Sequence, residues 1–158
     1  MSSFPPTIIL RHRKENLKKC TLRGLEERPD FRFYTYPLES LPDLSQHFVL
    51  TIDAPPLGEE EKKCGIFLLD GTWRYAGKMQ DVHFSRQNVR MRSLPAHFQT
   101  AYPRVQNDCP DPMRGLASIE AIFITYFLLG RETAGLLDHY YWKDLFLEKN
   151  HLSSLSRR

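Results

Sequence analysis

Short apolar runs alternate with polar, glycine- and proline-bearing stretches through most of this chain, and their spacing predicts strands joined by helices and loops. TIILR (residues 7–11) reads as a first strand with Arg11 at its exit. KKCTLRGLEE (18–27) follows as a short, irregular helix broken near Gly24, and FRFYTY (31–36) alternates as a second strand. HFVLTI (47–52) reads as a third strand. DAPPLGEEEKK (53–63) is a loop with one helical turn, because Pro55 and Pro56 exclude a strand interior. IFLL (66–69) is apolar without a break, which predicts a strand buried on both faces, as in a parallel sheet. Residues 72–80 have helical spacing. VRMRSLP (89–95) alternates Val89, Met91 and Ser93 against Arg90 and Arg92, a fifth strand.

Residues 103–115 are rich in Pro, Asp, Asn and Gly and read as a long loop. Ile119, Ile122, Phe123, Tyr126 and Leu129 then recur at helical spacing. Ser118 fits as the N-cap, Glu120 suits the positive end of the helix dipole, and Gly130 is a stop. A final helix is predicted from Thr133 to Asn150, with Leu136, Leu137, Tyr140, Tyr141, Leu145 and Phe146 on its apolar face; residues 151–158 read as a frayed tail. With no internal repeat or boundary, residues 1–158 are expected to form a single α/β domain.

Composition narrows the class. Of 158 residues, 41% are hydrophobic and 26% charged, which suits a soluble globular protein. The longest apolar run, Ala121 to Leu129, is too short to span a membrane. MSSFPPTIIL lacks the basic start and cleavage site of a signal peptide, so a cytoplasmic location is expected. Cys20, Cys64 and Cys109 are odd in number and far apart, as for reduced thiols, and the six histidines are scattered, so no metal site is expected. Residues 1–25 carry six Lys/Arg against one acid, residues 26–70 four against ten, and residues 71–114 seven against three. Two basic segments thus flank an acidic one. Brought together they would face phosphate; apart, they are a solvated surface of mixed charge.

The sharpest local signal is IFLLDGTWRYAGKM (66–79). A buried strand delivers Asp70 to a turn at Gly71, and Trp73 opens the next segment. A carboxylate, a glycine permitting close approach and a flat indole wall can build a ligand site. The same residues also suit a strand-turn-helix in which Asp70 caps the helix and Trp73 is core.

Four segments together carry a resemblance that none carries alone: KENLKKCTLRGL (14–25), LLDGTW (68–73), SLPAHFQTAYPR with LASIEA (93–104 and 116–121), and LLDHYYWKDLFLEKN (136–150). In this order the chain resembles the small-subunit rRNA aminocarboxypropyltransferase family, which belongs with the DTW-domain proteins among SPOUT-like enzymes. The resemblance implies a SPOUT-like parallel sheet flanked by helices with a C-terminal trefoil knot, and a monomer. It implies S-adenosylmethionine as donor of a 3-amino-3-carboxypropyl group to the imide nitrogen of a uridine or pseudouridine in RNA, with methylthioadenosine as the other product. Asp70-Gly71-Thr72-Trp73 stands where the rRNA branch usually has Asp-Cys-Ser-Trp, and AYPRVQNDCPDP (101–112) replaces its Asn-Pro-Val-Asn-Tyr-Gly stretch. The Thr-Trp form leans toward DTW proteins, some of which modify tRNA. Small-subunit rRNA, alone or in a pre-ribosomal subunit, is therefore the first substrate expected and tRNA the second.

Carried over by position, Thr21 lines the cofactor pocket, Asp70 and Trp73 lie near the methionine part, the Leu94 backbone meets adenine, and Ser118 starts the helix beside the cofactor. A sulfonium leaves readily, so the protein has to align the uracil nitrogen with the carbon attacked and exclude water. Asp70 is the carboxylate to nominate as base; its alternatives are holding the cofactor's ammonium group or capping a helix. Lys18, Lys19, Arg23, Arg90, Arg92 and Arg104 are candidate phosphate contacts, each with a solvated surface charge as its alternative. Tyr102 stands between base stacking and packing. The rival functions are a SPOUT-type RNA methyltransferase and a non-catalytic RNA-binding protein of ribosome assembly.

Overall fold

Alternation along five short segments places apolar side chains on both faces of one fully parallel sheet. The computed structural model describes residues 4–12, 21–36, 42–51, 54–70, 89–103 and 116–154. The strands are β1 (Thr7–His12), β2 (Phe31–Tyr36), β3 (His47–Leu50), β4 (Gly65–Asp70) and β5 (Arg90–Arg92), in the order β2-β1-β4-β3-β5. Every neighbouring pair is parallel. β4 lies between β1 and β3, which is why IFLL is apolar throughout. Ile66 and Leu68 pack with Ile9, Phe31, Phe48 and Leu50 on one face, and Phe67 packs with Ile8, Leu10, Leu44 and Val49 on the other. Bounds differ slightly from expectation. β3 ends at Leu50, though Thr51 N still donates to Arg92 O at 2.9 Å, and β5 ends at Arg92, after which Ser93 bridges to Pro56.

α1 (Ser118–Leu128) covers the first face. It is buried more broadly than the predicted stripe, since Glu120, Ile124 and Thr125 are also inside. Gly130 at φ +73° ends it as expected, with Arg131 N bonded back to Tyr126 O at 2.9 Å. The Arg131 guanidinium lies 3.9 Å from the Phe4 ring centroid and donates to the carbonyls of Lys62 and Cys64, tying this end of α1 to the start of β4. Beside it, the buried Tyr126 hydroxyl meets Thr7 Oγ1 at 2.7 Å and donates to Asp30 Oδ2 at 3.2 Å, while Arg28 grips Asp30 with two bonds of 2.9 and 3.0 Å. Burial pushes the Tyr126 phenol up to about 12.

Two helical expectations are corrected. Described residues 21–27 form turns around Gly24, which sits at φ +98°, and not a helix. The long C-terminal helix is only α2 (Lys143–Lys149). Before it, bonds of the three-residue type, Leu136 N to Thr133 O and Tyr140 N to Leu137 O, turn the chain tightly, and Gly135 takes φ +85°. These turns send the neighbours Leu136 and Leu137 inward together with Tyr140, and leave Tyr141, expected on the apolar face, 86% exposed. After α2, Leu152 N bonds to Leu147 O at 2.7 Å, so the first residues of the expected tail close the helix. The predicted helical turn near Glu59 is a single 3-10 turn, Glu59–Glu61. The predicted 72–80 helix lies outside the described residues.

Candidate functional site

Strand order locates the site before any side chain is considered. From β1 the chain goes on to β2 at one edge of the sheet, and from β4 it goes on to β5 at the other. β1 and β4 are hydrogen-bonded neighbours whose next strands lie on opposite sides of them, and such a divergence of strand order in a parallel sheet is where ligands bind. The last paired residues at this point are Arg11 and Asp70.

Asp70 is 4% exposed, and both its oxygens are engaged. Ser118 Oγ donates to Oδ1 at 2.8 Å, and Arg11 Nε donates to Oδ2 at 3.3 Å. The second bond is longer than the 2.7–2.9 Å usual for charge-assisted pairs. Arg11 is shared: its Nη1 donates to Glu26 Oε2 at 3.3 Å, and its guanidinium lies 4.7 Å from the Phe33 ring centroid. Glu26 Oε1 in turn accepts Gly24 N at 2.8 Å. Burial raises the Glu26 carboxyl, but its own backbone N–H, that of Gly24 and the Arg11 charge together outweigh this and hold it below the usual range.

The circuit closes through the helix. Ala117, at the N-cap of α1, has no side-chain oxygen, and Thr21 supplies one from a distant turn by accepting Ile119 N at 3.2 Å. Ser118 is thus the first helical residue and not the expected cap, which leaves its hydroxyl for Asp70. Thr21, Asp70 and Ser118, distant in sequence, are joined around one helix N-terminus, with Arg11 and Glu26 completing the ring.

A second buried carboxylate braces this end. Glu120 is fully buried, and its side chain accepts four bonds: Ala117 N at 2.8 Å and Thr100 Oγ1 at 2.6 Å on Oε1, Ala101 N at 2.8 Å and the Tyr140 hydroxyl at 2.8 Å on Oε2. Asn150 grips Gln99 through bonds of 2.8 and 2.9 Å, and Lys149 Nζ donates to Thr100 O at 3.3 Å.

Leu94 lies just beyond β5, at the same C-terminal edge of the sheet, and packs half-buried on the main core. Ser93 beside it is pinned by Ser93 N to Pro55 O at 2.8 Å and Ser93 Oγ to Ala54 O at 2.7 Å. Tyr102 also packs on the main core. Arg23 is exposed on the turn that carries Thr21. Arg90 and Arg92 are paired with an acid: Arg92 Nε meets Glu61 Oε1 at 3.2 Å, and Arg90 Nη1 lies 3.6 Å from Glu61 Oε2. Lys18, Lys19, Trp73 and Arg104 lie outside the described residues. Sequence reasoning gave no site role to Arg11, Glu26 or Glu120. The one signal for Arg11 was its place at a strand exit, and Glu120 was read only against the helix dipole.

Among the described residues no helix is long and apolar enough to cross a membrane, and no cluster of His, Cys, Asp and Glu is placed to hold a metal ion. No protein-family model and no curated protein matches the sequence. Among solved structures, the chain shares the fold of the SAM-dependent rRNA:acp-transferase Tsr3 from Vulcanisaeta distributa, with a TM-score of 0.70 and 22% identity over 98% of this chain and 82% of that one.

Proposed function

We propose that this protein transfers the 3-amino-3-carboxypropyl group of S-adenosylmethionine to the imide nitrogen of a uridine or pseudouridine in small-subunit rRNA. The observation that carries the proposal is the junction of Asp70, Ser118 and Thr21 at the helix N-terminus beside the β1/β4 divergence, in a chain with the fold of an rRNA:acp-transferase.

The residues present fit the donor. Its transferable end carries an ammonium and a carboxylate, and the site offers the buried Asp70 carboxylate beside the positive end of α1. Bound here, the donor would supply an electrophilic carbon next to a sulfonium leaving group. Asp70 holds the ammonium group, its position set by Ser118 and Arg11. It is also the carboxylate nominated to take the imide proton. Thr21 and Leu94 line the pocket with Trp73, and Lys18, Lys19, Arg23 and Arg104 meet RNA phosphates. Arg90 and Arg92 join them only if RNA competes with Glu61 for their guanidinium groups. The same reading, resting on the family resemblance, carries the SPOUT-like knot, a monomer and a cytoplasmic location.

The test uses S-adenosylmethionine labelled separately in the methyl and the carboxypropyl carbons, with unmodified small-subunit rRNA and with tRNA. Carboxypropyl label in rRNA is the expected result. Label in tRNA alone moves the substrate class, and methyl label makes the protein a methyltransferase. No transfer together with no donor binding by calorimetry leaves a non-catalytic RNA-binding protein.

A further inference from the structure

Resting on that reading, we infer that Glu120 is a positioning residue that couples the two halves of the donor pocket. Its carboxyl group is fully buried and is bonded to four neutral partners at 2.6–2.8 Å. A capping box accounts for one of these bonds, that from Ala117 N. Burying a polar group is costly unless its bonds are met, and here each oxygen serves two partners from different parts of the chain. An amide in its place offers one accepting oxygen and turns an NH2 group toward a backbone N–H, which, unlike a hydroxyl, cannot reverse its role.

The four bonds connect what the proposed reaction has to keep in register. On one side stands Ala117, next to Ser118, whose hydroxyl fixes Asp70. On the other stand Thr100 and Ala101, in the segment that runs on from Leu94, with Gln99 beside them held by Asn150. Tyr140 secures the node from the C-terminal turns. Under the proposed function, the first side meets the aminocarboxypropyl end of the donor, and the second continues the segment from Leu94, whose backbone the resemblance puts at adenine. Glu120 touches neither end. It sets the distance between them, and a ligand bound at both ends gains from that fixed spacing as a ligand bound at one end does not.

The test is calorimetric binding of S-adenosylmethionine and of methylthioadenosine, which keeps the adenosine end alone, to wild type and Glu120→Gln. Glu120→Gln is expected to weaken S-adenosylmethionine at least tenfold more than methylthioadenosine. Tyr126→Phe, which alters bonding at the opposite end of α1, serves as a destabilised control and should leave the ratio of the two constants within twofold. Where Glu120→Gln does not fold, Thr100→Val and Tyr140→Phe each remove one of the four bonds and should each raise the ratio about threefold. An unchanged ratio, with both ligands weakened alike or not at all, overturns the inference while leaving the proposed function standing. Wild type that binds neither ligand sinks the function, and the inference with it.

Discussion

Replacing Asp70 separates charge from shape at the centre of the site. In Asp70→Asn the amide can keep both bonds: its oxygen accepts from Arg11 Nε, and its NH2 donates to Ser118 Oγ, a hydroxyl able to reverse its role. What is lost is the charge. A charge-assisted hydrogen bond contributes about 1.5–3 kcal/mol, roughly twice a neutral one, and the Arg11 bond, stretched to 3.3 Å, belongs at the lower end, so losing the charge while keeping the bond is expected to cost about 1 kcal/mol. Asp70→Ala instead removes both bonds at a place where the Asp70 and Arg11 side chains are only 5% and 11% exposed. Breaking a buried pair costs about 3–5 kcal/mol, and because Arg11 keeps Glu26 the expected loss is about 3 kcal/mol. For a chain of this size about 1 kcal/mol lowers Tm by about 2–4 °C, and the alanine variant by about three times that. Urea unfolding measures both, and equal losses would refute the idea that asparagine preserves the bonds. A loss of this size is expected to leave Asp70→Asn folded, so its binding and transfer can be measured. If Asp70 holds the ammonium group, affinity for S-adenosylmethionine falls at least about tenfold, a difference of about 1.4 kcal/mol. If it acts only as a base, affinity stays and transfer disappears. Normal binding with normal transfer makes Asp70 structural.

Two further perturbations probe the frame. The folded Tyr126 phenol is pushed up to about 12 by burial, against about 10 in the unfolded chain, so its contribution is complete below pH 10 and is lost as pH rises toward 12. Urea unfolding should therefore show the gap between wild type and Tyr126→Phe shrinking by about 2–3 kcal/mol over that window; a gap independent of pH counts against the buried-phenol account. Gly24→Ala places a Cβ at φ +98° and against the His139 ring, so it should cost about 1–3 kcal/mol and weaken donor binding through the turn that carries Thr21 and Glu26. A neutral Gly24→Ala in both measurements would show that this turn yields freely.

The legibility of this chain follows the range of the interactions involved. β2 was readable to the residue, because alternation in Phe31–Tyr36 is a local record of burial. The burial of β4 on both faces was equally plain in Ile66–Leu69. The C-terminal stretch departs from a long helix because Leu136, Leu137 and Tyr140 satisfy an apolar helix pattern and a series of tight turns equally well; only the core they enter decides between them. Site residues divide the same way. Asp70 stood at the end of an apolar run, where a carboxylate asks for an explanation, and Thr21 and Ser118 entered through the resemblance. Arg11 and Glu120 have no such local mark: a basic residue leaving a strand and an acid in a first helical turn are ordinary. Their roles come from partners far along the chain, Asp70 for Arg11 and the residues from Thr100 to Tyr140 for Glu120. Charge patterning is likewise blind to partners in space. It groups Arg90 and Arg92 with the other basic residues, and β5 carries both of them to Glu61, a neighbour that the tally of charges along the chain places in the acidic segment. A residue whose chemistry depends on a fold-distant partner is therefore the kind that sequence alone under-reads, and here that kind includes Arg11 and Glu120.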